Sequence, residues 1–215
     1  MREEIVKSNE YRDYSLIEDS KKQFCSGEYF KSILDKQIDM LEYQTTHHSK
    51  VMMARFDIRT EEKNDKKLCS KDITRIMSNT KRNIENRYKK SESKNKPDIH
   101  YQWSMERTDE EKSSHWHVAL FANGNAIKDT RPIIEEVNRQ VKKVLNTKKN
   151  GLVHNANSGD DFNHGVGMLL KRDDPDFTRK MNVATQRMAY MAKCQSKEST
   201  PKHARMFSAS HIPKE

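Results

Sequence analysis

Two hydrophobic periods alternate along the chain. Over residues 29–43 (YFKSILDKQIDMLEY), Phe30, Ile33, Leu34, Ile38 and Leu41 fall at helical intervals, which predicts an amphipathic helix. Residues 51–59 (VMMARFDIR) switch to a period of two. There Met52, Ala54, Phe56 and Ile58 alternate with Met53, Arg55, Asp57 and Arg59, as in a strand with one apolar face. Residues 70–88 open with Ser and Asp and carry Ile73, Ile76, Met77, Ile84 and Tyr88 at helical spacing, which predicts a capped helix. SESKNKPD (91–98) reads as a loop. Residues 99–106 (IHYQWSME) and 115–121 (HWHVALF) then read as two strands of a hairpin joined by the polar TDEEKSS turn. Asp129 and Pro132 suit the start of a helix that runs to about Leu145 with Ile133, Ile134, Val137, Val141 and Val144 on one face. After a Gly- and Asn-rich loop, residues 166–172 (VGMLLKR) predict a fourth strand and residues 176–193 a last long helix.

Strands separated by helices, with a hairpin in the middle, predict an α+β fold with a central, mainly antiparallel sheet and flanking helices. The 215 residues suit one domain, expected over residues 29–215 behind a polar N-terminal lead-in, residues 1–28. Hydrophobic residues make up 33% of the chain and charged ones 34%, so the core must be lean, built from short apolar runs. The net charge of +9 is the balance expected of a protein that meets phosphates, although charge alone does not separate nucleic acid from an anionic membrane. Cys25, Cys69 and Cys194 are odd in number and have no CxxC spacing, which implies neither a disulfide framework nor a cysteine zinc site. With no signal-peptide pattern and no apolar run of membrane-spanning length, a soluble cytoplasmic protein is expected.

The candidate chemistry lies in the hairpin and the last helix. His115 and His117 flank Trp116 on a predicted strand, so both imidazoles point to one face. Glu106 ends the partner strand, and its carboxylate falls beside them, giving a two-histidine, one-carboxylate set able to bind a divalent metal. A His-x-His pair taken alone is more often a pair of solvated imidazoles. A third element changes that balance. In RMAYMAKCQSK (187–197), Tyr190 and Lys193 stand three residues apart near a helix end. A phenol attacks a phosphodiester only if a nearby cation favours phenolate and the phosphate charge is neutralised, and Lys193 with a metal offers both.

These elements, in this order, resemble the HUH endonucleases. The closer resemblance is to the replication initiators of filamentous phages and the related YagK/YfjJ C-terminal domain proteins of bacterial mobile elements. It is carried by VMMARFDIR, the strand ending in Glu106, SHWHVALF, GVGMLLKRDD, MAYMAKCQSK and the tail RMFSASHIP, and covers about residues 29–213. The resemblance implies a Rep-nuclease-like sheet with an RRM-like core and a metal, Mg2+ or Mn2+ with Zn2+ also compatible, on Glu106, His115 and His117. It further implies that Tyr190 is the sole catalytic tyrosine, that Lys193 supports charge, and that Asp57 of the RFDIR motif has a supporting place on the same face. The implied activity is nicking of single-stranded or melted origin DNA through a 5′-phosphotyrosine, as a rolling-circle initiator working with a host helicase and polymerase. Arg55, Arg59, Lys171 and Arg172 are candidate backbone-phosphate contacts. Cys194 and Gln195 depart from the small, Thr- or Asp-like residues expected after Lys193, and residues 1–28 lie outside the resemblance. The competing readings are a relaxase or single-strand transposase with the same chemistry, a non-catalytic DNA-binding regulator, and a zinc hydrolase of small phosphate esters.

Overall fold

The computed structural model describes residues 4–17, 27–59, 67–106, 115–194, 197 and 205–213. In chain order these form β1 (Ile5–Lys7), β2 (Glu10–Tyr11), β3 (Tyr14–Ser15), β4 (Glu28–Phe30), α1 (Lys31–His47), β5 (Lys50–Arg59), α2 (Ser70–Lys90), β6 (His100–Glu106) and β7 (His115–Asn123). They continue with α3 (Arg131–Leu145), β8 (Val153–Asn155), β9 (Met168–Lys171), α4 (Phe177–Ala189) and β10 (Phe207–Ala209), with 3-10 turns at Asp160–Gly165 and Tyr190–Ala192. No helix among the described residues is long and apolar enough to cross a membrane.

Six strands make one antiparallel sheet in the order β10, β6, β7, β5, with β8 and β9 sharing the far edge of β5. The predicted hairpin is present as β6 paired with β7, from His100 opposite Phe121 to Glu106 opposite His115. Its TDEEKSS turn lies outside the described residues. The fold class is therefore α+β, as the alternation of periods predicts.

Every residue from Val51 to Ile58 is buried, so β5 lacks the single apolar face that its alternation suggests. The cause is a layer of helices on each side of the sheet. Met52, Phe56, Ile58, Trp103, Trp116 and Val118 pack with Ile73, Ile76 and Met77 of α2 and Ile133, Val137 and Val141 of α3. On the other face Val51, Met53, Ala119 and Phe121 pack with Met40 and Leu41 of α1 and Met181, Ala184 and Met188 of α4.

Local chemistry explains the helix starts. The Cys69 N–H donates to the Asp72 carboxylate (3.1 Å), half of a capping box at the start of α2. The Asp129 carboxylate accepts the Arg131 N–H (2.9 Å) ahead of Pro132 in α3. Two boundaries differ from the sequence pattern. Tyr29 and Phe30 belong to β4, paired with β1, and the helix begins at Lys31, because the fully buried Tyr29 packs with Leu34, Ala189 and Ala192. The last helix ends at Ala189 and tightens into a 3-10 turn. Lys193 then leaves helical backbone (φ −56°, ψ 133°) to form a bridge with Tyr29. Within residues 4–17, Leu16 and Ile17 are buried.

Candidate active site

Register decides which polar side chains meet. Asp57 lies opposite His117 and Arg59 opposite His115 across β5 and β7, while Ser104 and Glu106 of β6 face His117 and His115 from the other side. Residues directly opposite in an antiparallel pair share a face, and so do residues two apart on one strand. Arg55, Asp57, Arg59, Ser104, Glu106, His115 and His117 thus form a polar patch on the α1/α4 face of the sheet. α4 covers the apolar end of this face, and its C-terminal end brings Tyr190 to the polar end.

His117 is the hub. It is 6% exposed and makes an Nδ1 contact of 2.6 Å with Asp57, while its Nε2 meets the Glu106 carboxylate. Arg55 Nη2 is also near Nδ1, at 3.2 Å, but a guanidinium cannot donate to a nitrogen that already carries a proton. Asp57 is the nearer group, so Nδ1–H donates to Asp57 and the Arg55 contact is packing. Burial pushes the His117 pKa down, but hydrogen bonds to Asp57 and Glu106 outweigh it and hold the imidazole above its ordinary value. Burial likewise opposes ionisation of both carboxylates. His117, with Arg55 and Arg59 around Asp57, and with Lys197 and His115 around Glu106, more than compensates, so both sit below their ordinary values.

Tyr190 packs edge-to-face against His117, with ring centroids 5.5 Å apart and planes at 85°. The Arg55 guanidinium carbon lies 4.8 Å from the Tyr190 ring centroid and Lys193 Nζ lies 5.1 Å from it. Lys193 therefore reaches Tyr190 from extended backbone after a 3-10 turn, and not as a neighbour on one face of a continuing helix. At 39% exposure Tyr190 is one of two large hydrophobic side chains that stay open to solvent among the described residues. A cleft of about 540 Å³ opens beside it, lined by Arg55 and Lys193, which stand against the tyrosine ring, and by Arg187, Ser158, Asp160 and Gln186.

Of the ten residues singled out from sequence, eight gather here: Tyr190, Lys193, Glu106, His115, His117, Asp57, Arg55 and Arg59. Lys171 and Arg172 do not. Lys171 pairs with Lys50 at the opposite end of β5, roughly 30 Å from Arg59 at strand rise, and Arg172 donates to the Thr46 carbonyl (2.7 Å). Arg55 turns out to be central and only 9% exposed. Lys197 was not anticipated. It is 4% exposed, and burial lowers its pKa to about 8 against the opposing pull of Glu106. Nothing in the run KCQSK marks one lysine as buried.

His117 fits the part of a metal ligand in one respect. Its Nδ1 is fixed by a carboxylate while Nε2 points at a second carboxylate, the arrangement by which carboxylates orient ligating histidines. His115 stands opposite Glu106 on the same face. Among the described residues, however, no three His, Cys, Asp or Glu side chains are assembled as a ready metal-binding group.

A sheet of this topology, with an Asp57–His117–Glu106 chain beside an exposed tyrosine, defines an α+β protein with a polar site at one end of its sheet. The YagK/YfjJ C-terminal domain model matches residues 12–210, and the chain belongs to that family. Neither the curated proteins nor the solved structures searched gave a match.

Proposed function

We propose that this chain is an HUH-type DNA-nicking enzyme that serves as a rolling-circle replication initiator of a phage, plasmid or other mobile element. The observation that carries the reading is the exposed Tyr190 ring held against His117, flanked by Arg55 and Lys193, above a histidine clasped by Asp57 and Glu106. Single-stranded or melted DNA enters the cleft beside Tyr190, where Arg55, Arg187 and Lys193 face its phosphates.

The Tyr190 phenol loses its proton, and its oxygen attacks the scissile phosphorus. The bond from phosphorus to the 3′ oxygen breaks, and that oxygen takes up a proton to leave a free 3′-OH. The product is a 5′-phosphotyrosine on Tyr190, in which the phosphodiester energy is retained, so strand rejoining is the reverse of the same step. Lys193 and Arg55 favour phenolate through their charge. Asp57 keeps His117 in one tautomer and orientation. His115, His117 and Glu106 would hold Mg2+ or Mn2+, with Zn2+ compatible with the same donors, and the ion would supply neutralisation of the phosphate charge. A host helicase and polymerase would act on the nicked product.

The test is incubation with a pool of single-stranded oligonucleotides and Mn2+, followed by denaturing gels for a protein–DNA adduct. The wild-type chain is expected to form an adduct that Tyr190→Phe abolishes and His117→Ala reduces by orders of magnitude. DNA binding without an adduct under any metal would replace this reading with that of a non-catalytic regulator.

A further inference from the structure

A large local excess of Lys and Arg over Asp and Glu lies away from the site just described. α2 holds seven Lys and Arg against two Asp and Glu, and α3 four against two, so these two helices account for +7 of the net +9. Both pack on the face of the sheet that carries Phe56 and Ile58, whereas Arg55, Asp57 and Tyr190 belong to the other face. This charge therefore cannot serve the strand that lies in the Tyr190 cleft.

The placement within α2 is ordered. At 100° per residue, Lys71, Arg75, Arg82 and Lys89 fall within about 40° of one another, nearly opposite the buried Ile73, Ile76, Met77, Thr80 and Ile84. All four are exposed. They form a straight outward ridge about 27 Å long, a length spanned by about eight base pairs of duplex. One acid of α2 touches it: Asp72 pairs with Arg75 of the ridge (3.0 Å) and takes the Cys69 cap, while Glu85 is turned to Lys81 (3.6 Å), and Lys71, Arg82 and Lys89 have no ion pair with an acid of this helix. Elsewhere in this layer the exposed Arg87 and Arg139 reach in to the buried Glu136, and Arg131 pairs with Asp129 (2.6 Å).

We propose that the α2 ridge is a second nucleic-acid surface that docks duplex DNA along its phosphate backbone. A rigid row of cations fits a stiff rod, and the ridge has no aromatic platform of the kind that holds single strands by stacking. The half-buried Tyr88 is tied by its hydroxyl to the Ala126 carbonyl (3.0 Å). An anionic membrane is the poorer match, because interfacial helices insert apolar side chains. The exposed large hydrophobics among the described residues, Ile5 and Tyr190, are both off this layer. The inference rests on charge placement and is independent of the Tyr190 chemistry.

The experiment measures fluorescence anisotropy with a duplex of about 24 base pairs of arbitrary sequence, over roughly 50 to 200 mM salt, where phosphate contacts set the slope. Wild type, Tyr190→Phe, the double variant R82Q/K89Q and the quadruple variant K71Q/R75Q/R82Q/K89Q are compared, with thermal midpoints checking the fold. Wild type and Tyr190→Phe should bind equally. The quadruple variant should bind at least about tenfold more weakly and lose about two to four units of salt slope, with the double variant between them. Adduct formation on short single strands, where it occurs, should be unchanged by the ridge substitutions. Equal duplex affinity and slope in a folded quadruple variant would overturn the proposal. So would loss of binding to phosphatidylglycerol vesicles with duplex binding intact, which would assign the ridge to a lipid surface.

Discussion

One imidazole holds the site together at the residue scale. His117 is engaged at both ring nitrogens by carboxylates, Asp57 at 2.6 Å and Glu106, and the two play different parts because only Asp57 lies on the neighbouring strand directly opposite. A carboxylate behind a histidine fixes its tautomer and raises its basicity, and removing such a partner commonly costs tenfold to a hundredfold in metal affinity or activity. Asp57→Asn keeps the shape and a hydrogen-bonding group but removes the charge. The expected outcome is a fall of about tenfold to a hundredfold in the rate of adduct formation at limiting Mn2+, partly recovered at high Mn2+. A rate that is unaffected across a Mn2+ titration would mean that Asp57 is a packing residue and not an orienting one.

Buried charge decides another property at the scale of elements. Glu136 of α3 accepts hydrogen bonds from Arg139, Gln140, Asn83 and Arg87, the last two across the α2–α3 contact. Arg139 contributes most, and against the cost of burial these partners lower its pKa to about 2. A depressed carboxylate pKa stabilises the fold above its unfolded value near 4.5, and the contribution is lost as pH falls from there through about 2. Glu136→Gln should therefore lower unfolding stability at neutral pH by about 3 kcal/mol at most, with the gap to wild type closing towards pH 2 in urea titrations. A gap of the same size at both ends would trace the loss to packing.

The same helices show what was legible in the sequence. α2, α3 and the β6–β7 hairpin follow from periodicity and capping residues, since each buries a face made of its own local sequence. β4 and the break after Ala189 did not follow, because both depend on Tyr29 meeting Ala189, Ala192 and Lys193 from far along the chain. In the site, His115, His117 and Glu106 could be grouped because one hairpin sets their register. The burial of Arg55 and Lys197 could not be foreseen, because it depends on how distant parts of the chain, α4 and its 3-10 turn among them, meet the sheet.

A polar site and a cationic helix layer are kept apart by the thickness of one sheet. The α1/α4 face carries the polar site and the α2/α3 face carries most of the net charge, with an apolar core on each side of the strands. The polar end of the site collects one buried imidazole and two carboxylates below their ordinary pKa values, alongside buried cations at Arg55 and Lys197. A divalent ion bound by His115, His117 and Glu106 would bind the folded chain and not the unfolded one, so it must raise global stability by mass action. At an ion concentration about a hundredfold above Kd the gain is about 2.7 kcal/mol, which for a chain of this size corresponds to roughly 5–10 °C in thermal midpoint. The expected outcome is a rise of that order on adding Mn2+, reversed by chelator and absent in Glu106→Gln and His115→Ala. Because His117 must lose its proton to ligate, and its pKa is held above the ordinary value, the rise should shrink as pH is lowered. An unchanged midpoint with Mg2+, Mn2+ and Zn2+ at neutral pH would remove the metal from the proposed mechanism and leave Arg55, Arg187 and Lys193 as the charges that face the phosphate.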